Sequence, residues 1–148
     1  MKVFYSKQVK EELDYLENSQ SSTDNQRARL IRKGIKSAIA NPLNTDNIPN
    51  GISGYFVQKA SGQIRLFYTT EVSSLIGRYL FLSWVNPAEF PHDTNNGQAN
   101  DPCYNEFKRL LNNNQIETFR LTDFSESFRK SKAWGCDYIR KRSTIPIF

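Results

Sequence analysis

One histidine and two cysteines among 148 residues close off several chemistries at the outset. Cys103 and Cys136 do not form a metal-ligand pattern, and a single His cannot complete a Cys/His zinc cluster. A disulfide between the two cysteines is permitted and not required. No run of 18 apolar residues occurs, so no membrane span is expected. The stretch MKVFYSKQVKEELDYL has neither the apolar core nor the small-residue cleavage site of a secretory leader, and a cytoplasmic protein is expected. Walker, GxGxxG, HExxH and GxSxG motifs are missing, which leaves nucleotide-driven, dinucleotide, metallopeptidase and hydrolase-elbow readings without support. A two-carboxylate metal nuclease needs clustered acids, and the pair Glu89 and Asp93 falls in a loop stretch. No metal and no cofactor are expected.

What is present describes one α+β domain over residues 1–148. Apolar residues make up 38% and charged residues 24%, an ordinary balance for a protein with a hydrophobic core. The net charge of +5 favours a nucleic acid or an acidic protein as partner, although mildly basic proteins are common. Most of the surplus lies in a basic, aromatic C-terminal segment, 123–148, where Lys130, Lys132, Arg140 and Lys141 are candidate phosphate contacts.

Along the chain, Met1–Tyr5 reads as a strand. Val9, Leu13 and Leu16 after a capping Ser6 predict a helix to about Glu17. Ala28, Ile31, Ile35, Ala38 and Ile39 predict a second helix from about Thr23 or Asp24 to Ala40. Its other face carries Arg27, Arg29, Arg32, Lys33 and Lys36, either an RNA-binding stripe or a solvated surface. The two helices are expected to form a hairpin on one face of an antiparallel sheet. Strands follow at Ile52–Lys59, Ile64–Thr69 and Tyr79–Val85, the first strand joining at an edge or the centre. Alternation places Ile64, Leu66 and Tyr68 on one face and Arg65, Phe67 and Thr69 on the other. Ala88–Asn100 reads as a mobile polar loop. Asp101 caps a third helix with Pro102 at its first position, and Glu117–Thr122 suggests a last short strand.

A charge fixed on a rigid strand makes Arg65 the first functional candidate, unless it only pairs with an acid such as Glu106. RNA carries its own nucleophile, the 2′-OH, so a protein need only align it, neutralise the phosphorane and move protons. Arg65 suits the second task, with Lys59 and Arg78 orienting phosphates. His92 or Tyr104 suits the third. Asn86 follows the last strand, and Trp84 is either a base-stacking platform or core, as Tyr68 is either a proton shuttle or core.

The runs IRLFY (Ile64–Tyr68), FLSWVN (Phe81–Asn86) and DPCYNEFKRLL (Asp101–Leu111), after a strand and two helices, resemble the YhaV branch of the RelE/ParE toxin superfamily. The resemblance covers about residues 62–122. It implies the toxin of a type II toxin–antitoxin system, an endoribonuclease that cleaves mRNA in association with the ribosome and is neutralised by a cognate antitoxin. On it Arg65 matches the phosphate-stabilising strand Arg, Asn86 the strand-end Asn, Asp101 the Asp before the helix, and Tyr104 the Tyr that opens it. The chain departs after Asn86: where YhaV-like chains carry an Arg and a Tyr-Gly, this one has Pro91-His92-Asp93-Thr94 and a longer insert, so His92 either replaces that cation or marks an altered site. The rival readings are a relative that binds a protein target such as a topoisomerase, and a nucleic-acid-binding module without cleavage.

Overall fold

The alternating run at Ile64–Thr69 sends apolar side chains to both faces of a strand, so both faces need cover. A computed structural model describes residues 1–118. In it the run falls largely within β3 (Arg65–Ser73) of a four-stranded sheet that also contains β1 (Lys2–Tyr5), β2 (Phe56–Lys59) and β4 (Gly77–Val85), in the order β1-β4-β3-β2. β2 and β4 flank β3 in antiparallel pairings, with Lys59 opposite Arg65 and Leu66 opposite Val85. β1 lies parallel to β4, Lys2 opposite Tyr79. The α+β class and the helical hairpin on one face are as expected. The sheet is mixed rather than wholly antiparallel, because the chain leaves β1 through two helices, the kind of crossover that a parallel neighbour requires.

The hairpin consists of α1 (Lys7–Asn18) and α2 (Ser22–Ala40). Ser6 caps α1 by accepting from the Val9 N–H at 3.1 Å, and Ser21 caps α2 through the Asp24 N–H at 3.3 Å. Val9, Leu13 and Leu16 face Ala28, Ile31, Ile35 and Ala38 across Leu66, Tyr68, Leu80, Leu82 and Val85 of the sheet. Full burial of each such Leu or Ile contributes about 1.5–3 kcal/mol. α2 touches the β2–β3 turn at Gly34, where an added Cβ would stand 2.9 Å from the Ala60 Cβ.

A β-bulge sets which residues of β4 face the hairpin. Phe67 lies opposite Trp84 but Tyr68 lies opposite Leu82, so Ser83 is the extra residue. Its insertion lets Leu82 and Val85, three apart, share one face while Trp84 turns to the other. There α3 (Pro102–Asn112) covers the sheet, with Phe107 stacked on Phe67 at 4.0 Å between ring centroids and Tyr55 edge-on to Phe107. β2 is shorter than the run Ile52–Lys59 suggested: Ile52 and Tyr55 pack as irregular backbone against α3. The suggested strand at Glu117–Thr122 has no strand at 117–118 and otherwise lies outside the described residues, as do Cys136 and the segment 123–148. No helix among the described residues is long and apolar enough to cross a membrane.

Candidate active site

Four segments meet where β3 begins and β4 ends: the 60–64 turn, Arg65 itself, the 87–101 loop and the first turn of α3. Asn86 joins three of them. It is fully buried; its Oδ1 accepts from the Arg65 N–H at 2.8 Å, and its Nδ2 donates to the Gln63 and Phe90 carbonyls at 2.9 and 2.7 Å. The Asn86 carbonyl in turn accepts from the Arg27 guanidinium of α2. Each polar atom of the side chain is engaged with backbone, so Asn86 holds these segments together.

Arg65 does not pair with Glu106, which forms an ion pair with Arg109 instead. Its Nη1 donates to the Ser61 carbonyl at 2.6 Å and to the Ile64 carbonyl at 3.1 Å, so the preceding turn holds the guanidinium in place. Nε and Nη2 have no partner among the described residues. Burial lowers its pKa and the facing Tyr104 opposes that, yet an arginine so placed stays charged. A half-buried cation with two donor nitrogens unpartnered among the described residues has the chemistry to bind an anion. Lys59, opposite Arg65 in register, shares its side of the sheet and is exposed.

The loop expected to be mobile is fastened at several points. The His92 N–H donates to the Gln63 carbonyl at 2.9 Å and the Cys103 N–H to the Pro91 carbonyl at 3.2 Å. Asp101, buried, is the N-cap of α3, its Oδ1 accepting from the Cys103 and Asp93 N–H groups at 3.2 and 3.0 Å. Its Oδ2 lies 2.7 Å from Nδ1 of His92. A carboxylate only accepts, so Nδ1 carries a proton and directs it at Asp101, which leaves Nε2 as the ring nitrogen outside the pair. One turn into α3, the Tyr104 ring lies 5.6 Å from the His92 ring and 5.6 Å from that of Phe67. Burial pushes the Tyr104 hydroxyl above the usual tyrosine pKa, against the opposing pull of Arg65. Tyr104 is therefore held in its protonated form at neutral pH, beside the His92 ring.

Arg65, His92, Tyr104 and Asn86 thus come together, with Lys59 at the rim. Arg78 does not. It sits at the opposite end of β4, about 20 Å along the strand, and donates to Thr70 Oγ1 at 3.1 Å. Lys130, Lys132, Arg140 and Lys141 lie outside the described residues. Trp84, 3% exposed and packed with Phe67 and Phe107, is core rather than a stacking platform. Tyr68 is core as well, its hydroxyl donating to the Pro42 carbonyl and accepting from Asn47. In the α2 basic stripe Arg32 pairs with Glu17 and Arg27 with the Asn86 carbonyl, so two of the five cations serve the fold. Two features escaped sequence reasoning: the His92–Asp101 pair, for which Asp101 signalled only a helix cap, and the contribution of the 48–51 loop. That loop, with His92, Tyr104 and Lys108, bounds a cavity of about 400 Å³.

A larger groove of about 880 Å³ lies between α1 and residues 87–89, lined in part by Glu12, Arg27 and Glu89. Burial raises the Glu12 pKa, with Arg27 opposing it and Glu89 reinforcing it. Buried Cys103 has its thiol pushed up by desolvation and is no nucleophile. Among the described residues no three His, Cys, Asp or Glu side chains gather in a way that could hold a metal ion.

The sequence matches no family model and no curated protein. Among solved structures the chain is similar to a YoeB/ParE toxin from Agrobacterium tumefaciens, at 14% identity and a TM-score of 0.44, over 58% of this chain and 97% of that one.

Proposed function

We propose that this protein is an endoribonuclease that cleaves RNA by attack of the 2′-OH on the adjacent phosphorus, and that it acts as the toxin of a type II toxin–antitoxin system. The observation that carries the reaction is the Asp101–His92 pair beside Arg65 and Tyr104. His92 Nε2 takes the proton from the 2′-hydroxyl as the new P–O bond forms. Arg65 neutralises the non-bridging oxygens of the phosphorane through Nε and Nη2. Tyr104 delivers its proton to the departing 5′-oxygen as the P–O5′ bond breaks, leaving a 2′,3′-cyclic phosphate. The chemistry rests on cations and proton transfer and needs no metal. Lys59 at the rim adds salt-sensitive affinity for the flanking backbone.

The toxin role, mRNA as the substrate, the ribosome as the setting and a cognate antitoxin as partner rest on the likeness of IRLFY, FLSWVN and DPCYNEFKRLL to the YhaV branch. The test is cleavage of end-labelled mRNA in EDTA, with and without ribosomes, with mapping of the new ends. Fragments with 2′,3′-cyclic phosphates are expected, and Arg65→Ala should cut about 10²–10³-fold more slowly while melting like the parent. Intact RNA in both arms from folded protein would overturn the ribonuclease reading, and an unimpaired R65A would remove Arg65 from it.

A further inference from the structure

The cavity beside His92 and Tyr104 has an unusual lining. Asn50 and Gly51 form one wall and Gln98 of the 87–101 loop another, while Tyr104 and Lys108, one turn apart on α3, form the third. Of these, the Asn50, Gln98 and Lys108 side chains make no hydrogen bond or ion pair among the described residues. Asn44, Asn47 and Asn100 in the same loops do bond through their side chains, to the Asp46 N–H, to Gln58 and to the Asn96 carbonyl. Gly51 has φ of +74°, a conformation that favours glycine, and a Cβ there would lie 3.5 Å from the Lys108 Nζ, an ordinary contact, so the loop passes close over the ammonium.

The volume, about 400 Å³, falls within the ~300–1,000 Å³ of small-ligand sites. An aromatic wall accepts the face of a planar ring. Two free amides, each offering a donor and an acceptor side by side, match the N6/N7 edge of adenine and not the two-acceptor N7/O6 edge of guanine, and a purine covers more of the aromatic wall than a pyrimidine. The lysine supplies a counter-charge for one phosphate. We infer that this cavity is a nucleobase pocket, selective for adenine, that seats the nucleotide next to the scissile phosphate. The position relative to the scissile bond rests on the ribonuclease reading; the pocket's affinity for the nucleotide does not.

The two can be tested apart. Adenosine and cytidine 5′-monophosphates are titrated into the full-length protein and followed by NMR, with assigned Asn and Gln side-chain amides, and RNA cleavage sites are mapped in parallel. The inference expects saturable adenosine monophosphate binding that moves the Asn50 and Gln98 amides, about tenfold weaker binding of the cytidine nucleotide, and cuts concentrated beside adenines. In the Asn50→Ala/Gln98→Ala double variant, both positions being exposed, the preference should vanish while cleavage elsewhere continues. RNA cleavage with no mononucleotide binding at these amides, or with a base preference unchanged in the double variant, would overturn the pocket and leave the ribonuclease standing. Adenosine monophosphate binding without any cleavage would support the pocket and overturn the ribonuclease.

Discussion

Asp101 serves two purposes with one carboxylate, and a substitution can separate them. Asn at an N-cap is nearly as good as Asp, so Asp101→Asn should leave α3 capped and the melting temperature within a few degrees of the parent. The same change offers His92 an amide N–H where it had an acceptor, which turns the imidazole to the tautomer that cannot accept from a 2′-hydroxyl. Cleavage should fall about 10²–10⁴-fold with little change in KM, measured beside a melting curve. A parallel loss of stability and activity would instead mean that Asp101 matters only as a cap. At this scale sequence reasoning found single residues and missed pairs. Arg65 was visible because charge on an apolar strand is costly, and Asp101 because Asp before Pro starts helices. His92 and Asp101 are nine positions apart in a loop without periodicity, so nothing local announced that their side chains meet.

The elements were legible where a periodic pattern and a cap coincide, as in α1 and α3, and in α2 from the periodic pattern alone. They were less so where tertiary packing decides. Ile52 and Tyr55 are strand-like residues, but α3 needs them as a plug against Phe107, and β2 begins only at Phe56. The Ser83 bulge was invisible because β4 is buried without interruption from Tyr79 to Val85 and offers no in-and-out alternation to break. The contact of α2 with the β2–β3 turn was equally silent, since Gly34 reads as a weak point in a helix. It is a point of close approach. Gly34→Ala should lower stability by about 1–3 kcal/mol in urea unfolding, and adding Ala60→Gly should restore part of that loss, because the Ala60 Cβ is the nearest atom. Lack of any recovery in the double variant would mean that the Ala60 Cβ is not what the added methyl group meets.

For the whole molecule, the groove along α1 makes stability depend on pH. Burial raises the Glu12 pKa, so the folded state holds that proton more tightly than the unfolded one. The resulting stabilisation is complete below the ordinary carboxylate value and is lost as pH rises through the higher folded value. Glu12→Gln should therefore flatten the stability profile across that window and melt at or above the parent temperature at pH 7, as thermal scans from pH 4 to 7 would reveal. A steeper profile in E12Q would reverse the assignment. The parallel pairing of β1 with β4 carries a consequence for how the protein comes into being. Lys2 meets Tyr79, a residue made 77 positions later. At ~5–20 residues per second, the first strand waits roughly 4–15 s for its partner, and Asp101 and Tyr104 are later still. Each newly synthesised molecule thus passes through an interval with its helical hairpin written and the sheet partner of its first strand absent, a delay set by topology alone.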